Sequence, residues 1–396
     1  MLIGSRKIAW IASACLALVA VWMVGDWNRQ TSVTDFAAYW TAGRELGAGR
    51  NPYAIESVLA LERQLGFAGP KPLVMRNPLW ALPFVLPFGL LPYATAQRMW
   101  LWISLAAVLV SVRLLWRLYG ALEQRYWLGW IVSALFVPVA TVLAIGQIGP
   151  LVLLGIVGFL DREHQRRDGW AGAYALLIAL KPHLAFLFWP ALLLWVARYR
   201  RWRALLGFAV GICVASLIPL LFDHHIVAHY LELWERMGMA RELTPTPSGT
   251  LRLLFGVEHR GLEFLPSIAA TIWFLRHWLR VRGNWRWQEE MPWLLLVSLT
   301  ATPYVWFFDQ VTLLPCVVQV AAAVIAAPRA SWWRPALVYL ATNCVTLALI
   351  LAHRTTFWYA WTAPFWLVLY GLFCRSGILR SRPDGQEGRD VARPAG

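Results

Sequence analysis

Charge is scarce in this chain. Only 14% of its 396 residues are Asp, Glu, Lys or Arg, and 59% are apolar. Soluble domains carry about 25% charged residues, so water is not the main solvent of this fold. Lysine is scarcer still, with Lys7, Lys71 and Lys181 as the only examples. The net charge of +15 therefore rests on arginine. Most of it falls in short stretches between apolar runs, where membrane topology predicts it; no nucleic-acid partner is expected. Cys15, Cys213, Cys316, Cys344 and Cys374 lie singly inside apolar runs. Without CxxC or Cys/His spacing they exclude a structural zinc site and a disulfide framework. No Walker A or GxGxxG motif stands between a strand and a helix, and no D-x-D or paired outer carboxylates occur. Neither a cytosolic nucleotide, a metal ion nor another cofactor is expected.

What is abundant is apolar length and tryptophan, 26 residues of it, as expected where indoles anchor helices at bilayer interfaces. A spanning helix needs about 20 mostly apolar residues. Segments 8–26, 97–117, 127–146, 150–162, 169–182, 184–198, 204–222, 262–281, 291–306, 310–328, 333–352 and 357–374 approach that requirement. The chain thus reads as an all-α polytopic membrane protein of about 12 spans, a single domain over 1–375 with a basic cytoplasmic tail over 376–396. The run 8–26 continues past "IASAC" and reads as an uncleaved signal anchor. The stretch 78–92, "PLWALPFVLPFGLLP", holds too many prolines for an ordinary spanning helix. It reads as a re-entrant segment covered by protein.

Arginine asymmetry orients the spans. With 78–92 not crossing, Arg6, Lys7, the "RYRRWR" cluster at 198–203 and the arginines after Cys374 all fall inside. Both termini are then cytoplasmic. The other polar islands collect on the outer face: 27–77, "GQIGP", "KPH", 223–261 and "TPYVWFFD". In the first of these, Thr34 reads as the N-cap of a helix from Asp35 to about Leu46, ended by Gly47 or Gly49. Asn51 reads as the cap of a second helix with Pro52 at its first position. That helix carries an apolar stripe of Ile55, Val58, Leu59, Leu61 and Leu65, with Glu56, Glu62 and Arg63 wet, the pattern of a helix lying on a membrane surface.

Several residues stand out on that face. Asp35 sits in the first turn, one turn from Tyr39, where the helix dipole favours an ionised carboxylate. It reads either as a cap or as a general base toward a hydroxyl. Lys181 is a cation at the outer end of an apolar run, a position that by default marks function. His183 and Arg252 offer further donors to an anion, and Gln147 is an amide at a span's end. Asp309 lies near the outer end of another span, either paired with Lys181 or an arginine, or binding substrate. Tyr304, Trp306 and Phe307 beside it suit a sugar ring or an isoprenoid chain, and equally an interfacial aromatic belt.

Taken in order, "DFAAYWTAGRELGAGRNPY", "NPLWALPFVLPFGLLP", "GQIGPLVLLG", "AGAYALLIALKPH", "RYRRWRA" and "TPYVWFFDQVTLLP" resemble the motifs of glycosyltransferase family 87 over roughly residues 30 to 320. That family comprises polyprenol-phosphate-sugar-dependent membrane transferases, including mycobacterial phosphatidylinositol mannoside mannosyltransferases. The resemblance implies a C-type glycosyltransferase fold with its catalytic aspartate on the first extracytoplasmic loop, which Asp35 matches. It implies a hexose donor, typically mannose, linked through one phosphate to a polyprenol. It further implies a lipid or glycan acceptor and a periplasmic active site in a bacterial inner membrane. Asp35 would act as base with inversion, and Lys181, Arg252 and His183 would face the leaving phosphate. Where family members often show Tyr-Pro-Pro, this chain has Arg76-Asn77-Pro78; where some have histidines, it has Phe307, Phe308 and Asp309. The rival reading is a transporter or lipid flippase with Lys181 and Asp309 as a coupling pair. It calls for repeats between the halves, and none is visible.

The arginine asymmetry generates a topological prediction. Cysteine labelling is expected to place positions after Arg167 and Arg203 in the cytoplasm, and positions near Gly66 outside. Labelling of residues 66 and 203 from one side would overturn the arrangement.

Overall fold

The computed structural model describes residues 33–120, 123–237, 243–326, 333–354 and 356–375. The expected signal anchor over 8–26 and the tail 376–396 lie outside them. Every regular element among the described residues is helical. In chain order the α-helices are α1 (Phe36–Gly47), α2 (Ile55–Gln64), α3 (Leu82–Gly89), α4 (Tyr93–Leu118), α5 (Tyr126–Ala134), α6 (Val137–Ile145), α7 (Gly149–His164), α8 (Asp168–Ile178) and α9 (Phe188–Tyr199). There follow α10 (Trp202–Leu220), α11 (Ile226–Met237), α12 (Pro247–Phe255), α13 (Leu265–Val281), α14 (Trp287–Ala301), α15 (Leu314–Ala326), α16 (Trp333–Leu351) and α17 (Thr362–Arg375).

Five helical segments among the described residues are long and apolar enough to cross a membrane: Tyr93–Leu118, Trp202–Leu220, Phe307–Ala326, Trp333–Leu351 and Phe357–Arg375. A sixth arises if α5 and α6, bent by 68° at Leu135–Phe136, count as one span. The other expected spans within the described residues form shorter helices, from 11 residues in α8 to 17 in α13. At 1.5 Å per residue α8 covers roughly 17 Å, about half of a bilayer core. The expected spans 169–182 and 184–198 are separated by an irregular segment at Ala179–Lys181 and a 3-10 turn at Pro182–Ala185. Irregular backbone survives at membrane depth only where protein or a cavity covers it. Here it lines a cavity.

The proline-rich segment obeys the same logic. Pro78 precedes a 3-10 turn at Leu79–Ala81, Pro83 sits in the first turn of α3, and Pro92 caps α4. Three prolines thus occupy helix starts, where the missing N–H costs nothing, and only Pro87 lies inside a helix. The 3-10 turn and α3 together are too short to cross alone. Instead α3 presses on α1 through glycine. A Cβ on Gly89 would stand 2.1 Å from the Arg44 nitrogen, and one on Gly43 would stand 2.5 Å from the Val85 oxygen. Trp40 Nε1 locks the pair by donating to the Leu91 carbonyl at 2.9 Å.

The outer-loop helices depart from expectation in three details. First, α1 starts at Phe36, and Asp35 rather than Thr34 holds the cap position, without a side-chain capping bond. Thr34 Oγ1 instead accepts from Gln97 Nε2 at 3.3 Å. Second, α2 starts at Ile55 with Ala54 at its cap; Asn51 Oδ1 accepts from Tyr53 N at 2.8 Å, closing a local turn before the helix. Third, Glu62 is buried rather than wet, both carboxylate oxygens accepting from Leu73 N at 3.0 Å. Burial pushes this carboxyl up to about 7. Val58 joins the core with Ile55 and Leu65 packed against it, so the apolar stripe of α2 faces protein rather than lipid.

The α1–α3 contact leaves no room for a methyl group, because the atoms it would meet are backbone. Gly89→Ala is expected to destabilise the protein by about 1–3 kcal/mol through overpacking. A melting curve in detergent unchanged from the wild type would show that the two helices can part without cost.

Candidate active site

Between the ends of these broken helices lies a cavity of about 1050 Å³. Asp35, Tyr39 and Gln147 line one part of it, Lys181, His183, Tyr304 and Trp306 another. Seven of the ten residues singled out from sequence therefore meet in one space. They come from four chain segments.

Asp35 is half-buried at the start of α1, and its side chain turns away from the helix it precedes. Gln147 Nε2 donates to Asp35 Oδ2 at 2.8 Å. Tyr39 Oη donates to Gln147 Oε1 at 2.7 Å and in turn accepts from Ile148 N at 3.4 Å. Gln147 reaches this position because Gly146 ends α6 in the left-handed conformation, with φ +74°. Burial pushes the Asp35 carboxyl above the usual carboxylate range; the Gln147 bond and the Lys181 charge pull it part of the way back, and Asp309 opposes them. Capping does not explain Asp35. Its geometry leaves a carboxylate with one protein donor and a face on the cavity.

Lys181 is held differently. Its Nζ lies 2.7 Å from Asp309 Oδ1, both residues are buried, and Nζ stands 5.3 Å above the Phe308 ring. Asp309 Oδ2 accepts from Trp306 N at 3.0 Å. Asp309 does not line the cavity but stands behind Lys181. A carboxylate that supports both a lysine and a loop amide has its lone pairs directed into protein. The alternative anticipated for it, an ion pair with Lys181, is what the structure contains.

His183 is half-buried, with Nε2 buried and without a hydrogen-bond partner. Burial pushes this imidazole down to about 4, so near pH 7 it offers an N–H but no charge. Its ring meets Tyr304 edge-on at 5.6 Å; Tyr304 meets Trp306 edge-on at 6.3 Å, and Trp306 stacks on Phe308 at 6.5 Å. These four rings form one apolar wall. Thr244 Oγ1 supports it from behind, donating to the Pro303 carbonyl at 2.7 Å.

Arg252 does not line the cavity. Buried at the end of α12, it pairs with Glu263 through Nη1 at 2.7 Å and donates through Nη2 to the Val257 carbonyl at 2.8 Å. The structure thus places Arg252, expected to face an anion, outside the lining of the cavity and paired with Glu263. Three cations absent from the expected set do line the cavity: Lys71, Arg76 and Arg236. Their signal was position in the outer polar islands, with Lys71 also one of only three lysines. Among the described residues no group of three or more His, Cys, Asp or Glu side chains is arranged to hold a metal ion.

The model of glycosyltransferase family 87 matches residues 75–352. That range includes Gln147, Lys181, His183, Tyr304, Trp306 and Asp309 and begins after Asp35 and Tyr39. No curated protein and no solved structure matches the chain.

The Gln147 bond stabilises the ionised form of Asp35, so its removal has a defined sign. In Gln147→Leu the Asp35 carboxyl is expected to titrate at higher pH than in the wild type, where it already lies above the ordinary range. Infrared difference spectroscopy of the carboxyl stretch reads this directly. An unmoved or lower titration in Gln147→Leu would mean that another group, not this amide, solvates the carboxylate.

Proposed function

Because the chain belongs to glycosyltransferase family 87, we propose that it moves a hexose, mannose in the first instance, from a polyprenyl-phosphate donor to a lipid or glycan acceptor. The arrangement we assign is a C-type glycosyltransferase fold in a bacterial inner membrane. Both termini are cytoplasmic and the cavity opens to the periplasm. The shorter broken helices bring the count toward the 12 expected from hydropathy.

The observation that carries this reading is Asp35, a carboxylate that caps nothing and faces a cavity shared with a buried lysine. In the reaction the acceptor hydroxyl oxygen forms a bond to the anomeric carbon while the bond from that carbon to the phosphate oxygen breaks. Attack from the side opposite the phosphate inverts the anomeric centre. Asp35 takes the hydroxyl proton. A carboxylate pushed above its usual range is the better base, provided it still ionises at the working pH. Gln147 and Tyr39 hold it in one orientation.

The leaving group departs as polyprenyl phosphate, a monoester that needs cations and N–H donors rather than a proton. Lys181 supplies donors there, and His183 a neutral N–H. The wall of Tyr304, Trp306 and Phe308 suits the sugar face or the isoprenoid chain. The proposal calls on no metal ion, since side chains meet the phosphate.

The transport reading anticipated the Lys181–Asp309 pair, but a transporter has no use for a carboxylate held by Gln147 and Tyr39 away from that pair. The deciding assay uses purified protein in nanodiscs with polyprenyl-phosphate mannose. Wild type is expected to release polyprenyl phosphate. Asp35→Asn is expected to bind the donor normally and to turn over ~10²–10⁴-fold more slowly, the usual worth of a general base. Near-normal turnover by a folded, donor-binding Asp35→Asn protein would remove Asp35 from this role.

A further inference from the structure

Beside the large cavity lies a smaller one of about 220 Å³, between the start of α2 and α11. Helix α11 forms the ridge that divides them. Tyr230 and Trp234 line the large cavity, whereas His229, Glu232 and Leu233 line the small one. These positions fall on neighbouring faces of one helix, because residues three and four apart stack along its surface. Ile55 and Arg236 line both cavities, so the two adjoin. Nothing in the donor chemistry uses the smaller one.

We propose that the smaller cavity is an acceptor subsite that seats one sugar ring of a saccharide, while a hydroxyl on the next ring lies at Asp35 in the large cavity. The inference rests on the glycosyltransferase reading above and narrows its acceptor to a neutral saccharide of two or more units. Sites for drug-sized ligands run to about 300–1,000 Å³. The smaller cavity falls below that range, in keeping with a single ring.

The lining calls for an uncharged ligand rich in hydroxyls. Ala54 at the cap of α2 gives no side chain to the first N–H groups of that helix, which have no partner within the helix either. Glu56 and Glu232 bring carboxylate acceptors to the same space, with Glu232 also tied to Arg236 at 2.6 Å. His229 is held through Nδ1 by Asp223 Oδ2 at 2.7 Å, which leaves Nε2 as its other polar atom. An anion would meet the two carboxylates. A metal ion would find no group of three His, Cys, Asp or Glu side chains arranged to hold it among the described residues. A sugar hydroxyl both donates and accepts, so it satisfies either kind of group.

Tyr53 is the observation that points to a ligand. It lines the smaller cavity and is only 3% exposed, yet its Oη is buried with no hydrogen-bond partner. A buried hydroxyl without a partner costs stability, and the hydroxyl of a seated sugar supplies one. The Tyr53 ring lies 5.4 Å from Tyr230, which meets Trp234 edge-on at 6.0 Å. Three aromatic rings thus run from the smaller cavity to the lining of the large one, a surface that an amphipathic saccharide can follow.

The test uses full-length protein in nanodiscs and saturation-transfer NMR. The probes are methyl α-mannoside, methyl α-mannobioside, methyl maltoside and methyl lactoside, with polyprenyl phosphate as the control ligand. Wild type is expected to bind at least one of the three disaccharides about tenfold more tightly than methyl α-mannoside, the worth of one added hydrogen bond to a carboxylate. Tyr53→Phe is expected to weaken that disaccharide about threefold to tenfold, the worth of one neutral hydrogen bond, and to leave polyprenyl phosphate binding unchanged. Its melting temperature is expected to hold or rise, since the lost hydroxyl had no partner. Should Tyr53→Phe not fold, Glu56→Gln at an exposed position asks the same question. Wild-type disaccharide binding in these variants would overturn the proposal, as would equal weakening of the disaccharide and polyprenyl phosphate, which would assign Tyr53 to packing. A wild type that turns over polyprenyl-phosphate mannose but prefers none of the disaccharides defeats this proposal alone. One that binds no polyprenyl phosphate defeats the donor reading, and this proposal with it.

Discussion

A lysine buried among apolar helices keeps its charge only if a counter-charge stays within hydrogen-bond reach. The contact between Lys181 and Asp309 meets that condition, and the rest of the cavity is arranged around it. One carboxylate oxygen holds Nζ, and the other accepts from Trp306 N at the start of the next helical turn. A single side chain thus ties the break between α8 and α9 to the break between α14 and α15. Losing either partner would leave a buried charge unopposed, at a cost of about 3–5 kcal/mol. Because that penalty is larger than any single aromatic contact nearby, the ion pair sets the spacing of the two broken helices and the ring wall follows.

The opposite side of the cavity is fixed without charge, by the absence of side chains. At Gly43 and Gly89 the backbones of α1 and α3 touch, which fixes α1 against the proline-rich segment. At Gly146 the chain turns left-handed directly against Phe36, where a Cβ would stand 2.7 Å from the Phe36 Cβ. Trp100 Nε1 donates to the Gly146 carbonyl at 2.8 Å and pins the same turn to α4. Phe36 follows Asp35 and Gln147 follows Gly146, so one close packing contact brings the carboxylate and the amide into register. The geometry of the hydrogen bond is inherited from the glycine.

Those two mechanisms explain what could be read from the sequence and what could not. A lone charge or amide in an apolar run is costly wherever the fold puts it, so Lys181, Asp309, Gln147 and Asp35 announce themselves by composition alone. The same logic flagged Arg252, whose cost is met locally by Glu263 and the Val257 carbonyl. Sequence position does not reveal whether a charge is satisfied by its neighbours or left facing a cavity. Glu62 failed for the converse reason: its helical spacing suits a wet face, but Leu73 N lies over that face. Hydropathy windows sum apolarity without seeing breaks, which is why runs such as 169–182 and 184–198 resolve into shorter helices around Lys181.

The state of Asp35 shows how competing effects are decided here. A carboxylate in a first helical turn gains from the dipole, typically by 0.3–1 kcal/mol, provided its oxygens face the free N–H groups. Asp35 precedes α1 in a helical backbone conformation and makes no such bond. Burial therefore dominates and pushes the carboxyl upward, leaving the amide of Gln147 as the main local correction. That amide has two faces, and only its NH₂ stabilises a carboxylate. Tyr39 makes the choice. Its hydroxyl accepts from Ile148 N, so its own proton is free to donate to Gln147 Oε1, and the NH₂ is turned toward Asp35. A backbone N–H at the start of α7 thus selects, through a tyrosine and an amide, the orientation of the one donor that lets the proposed base ionise.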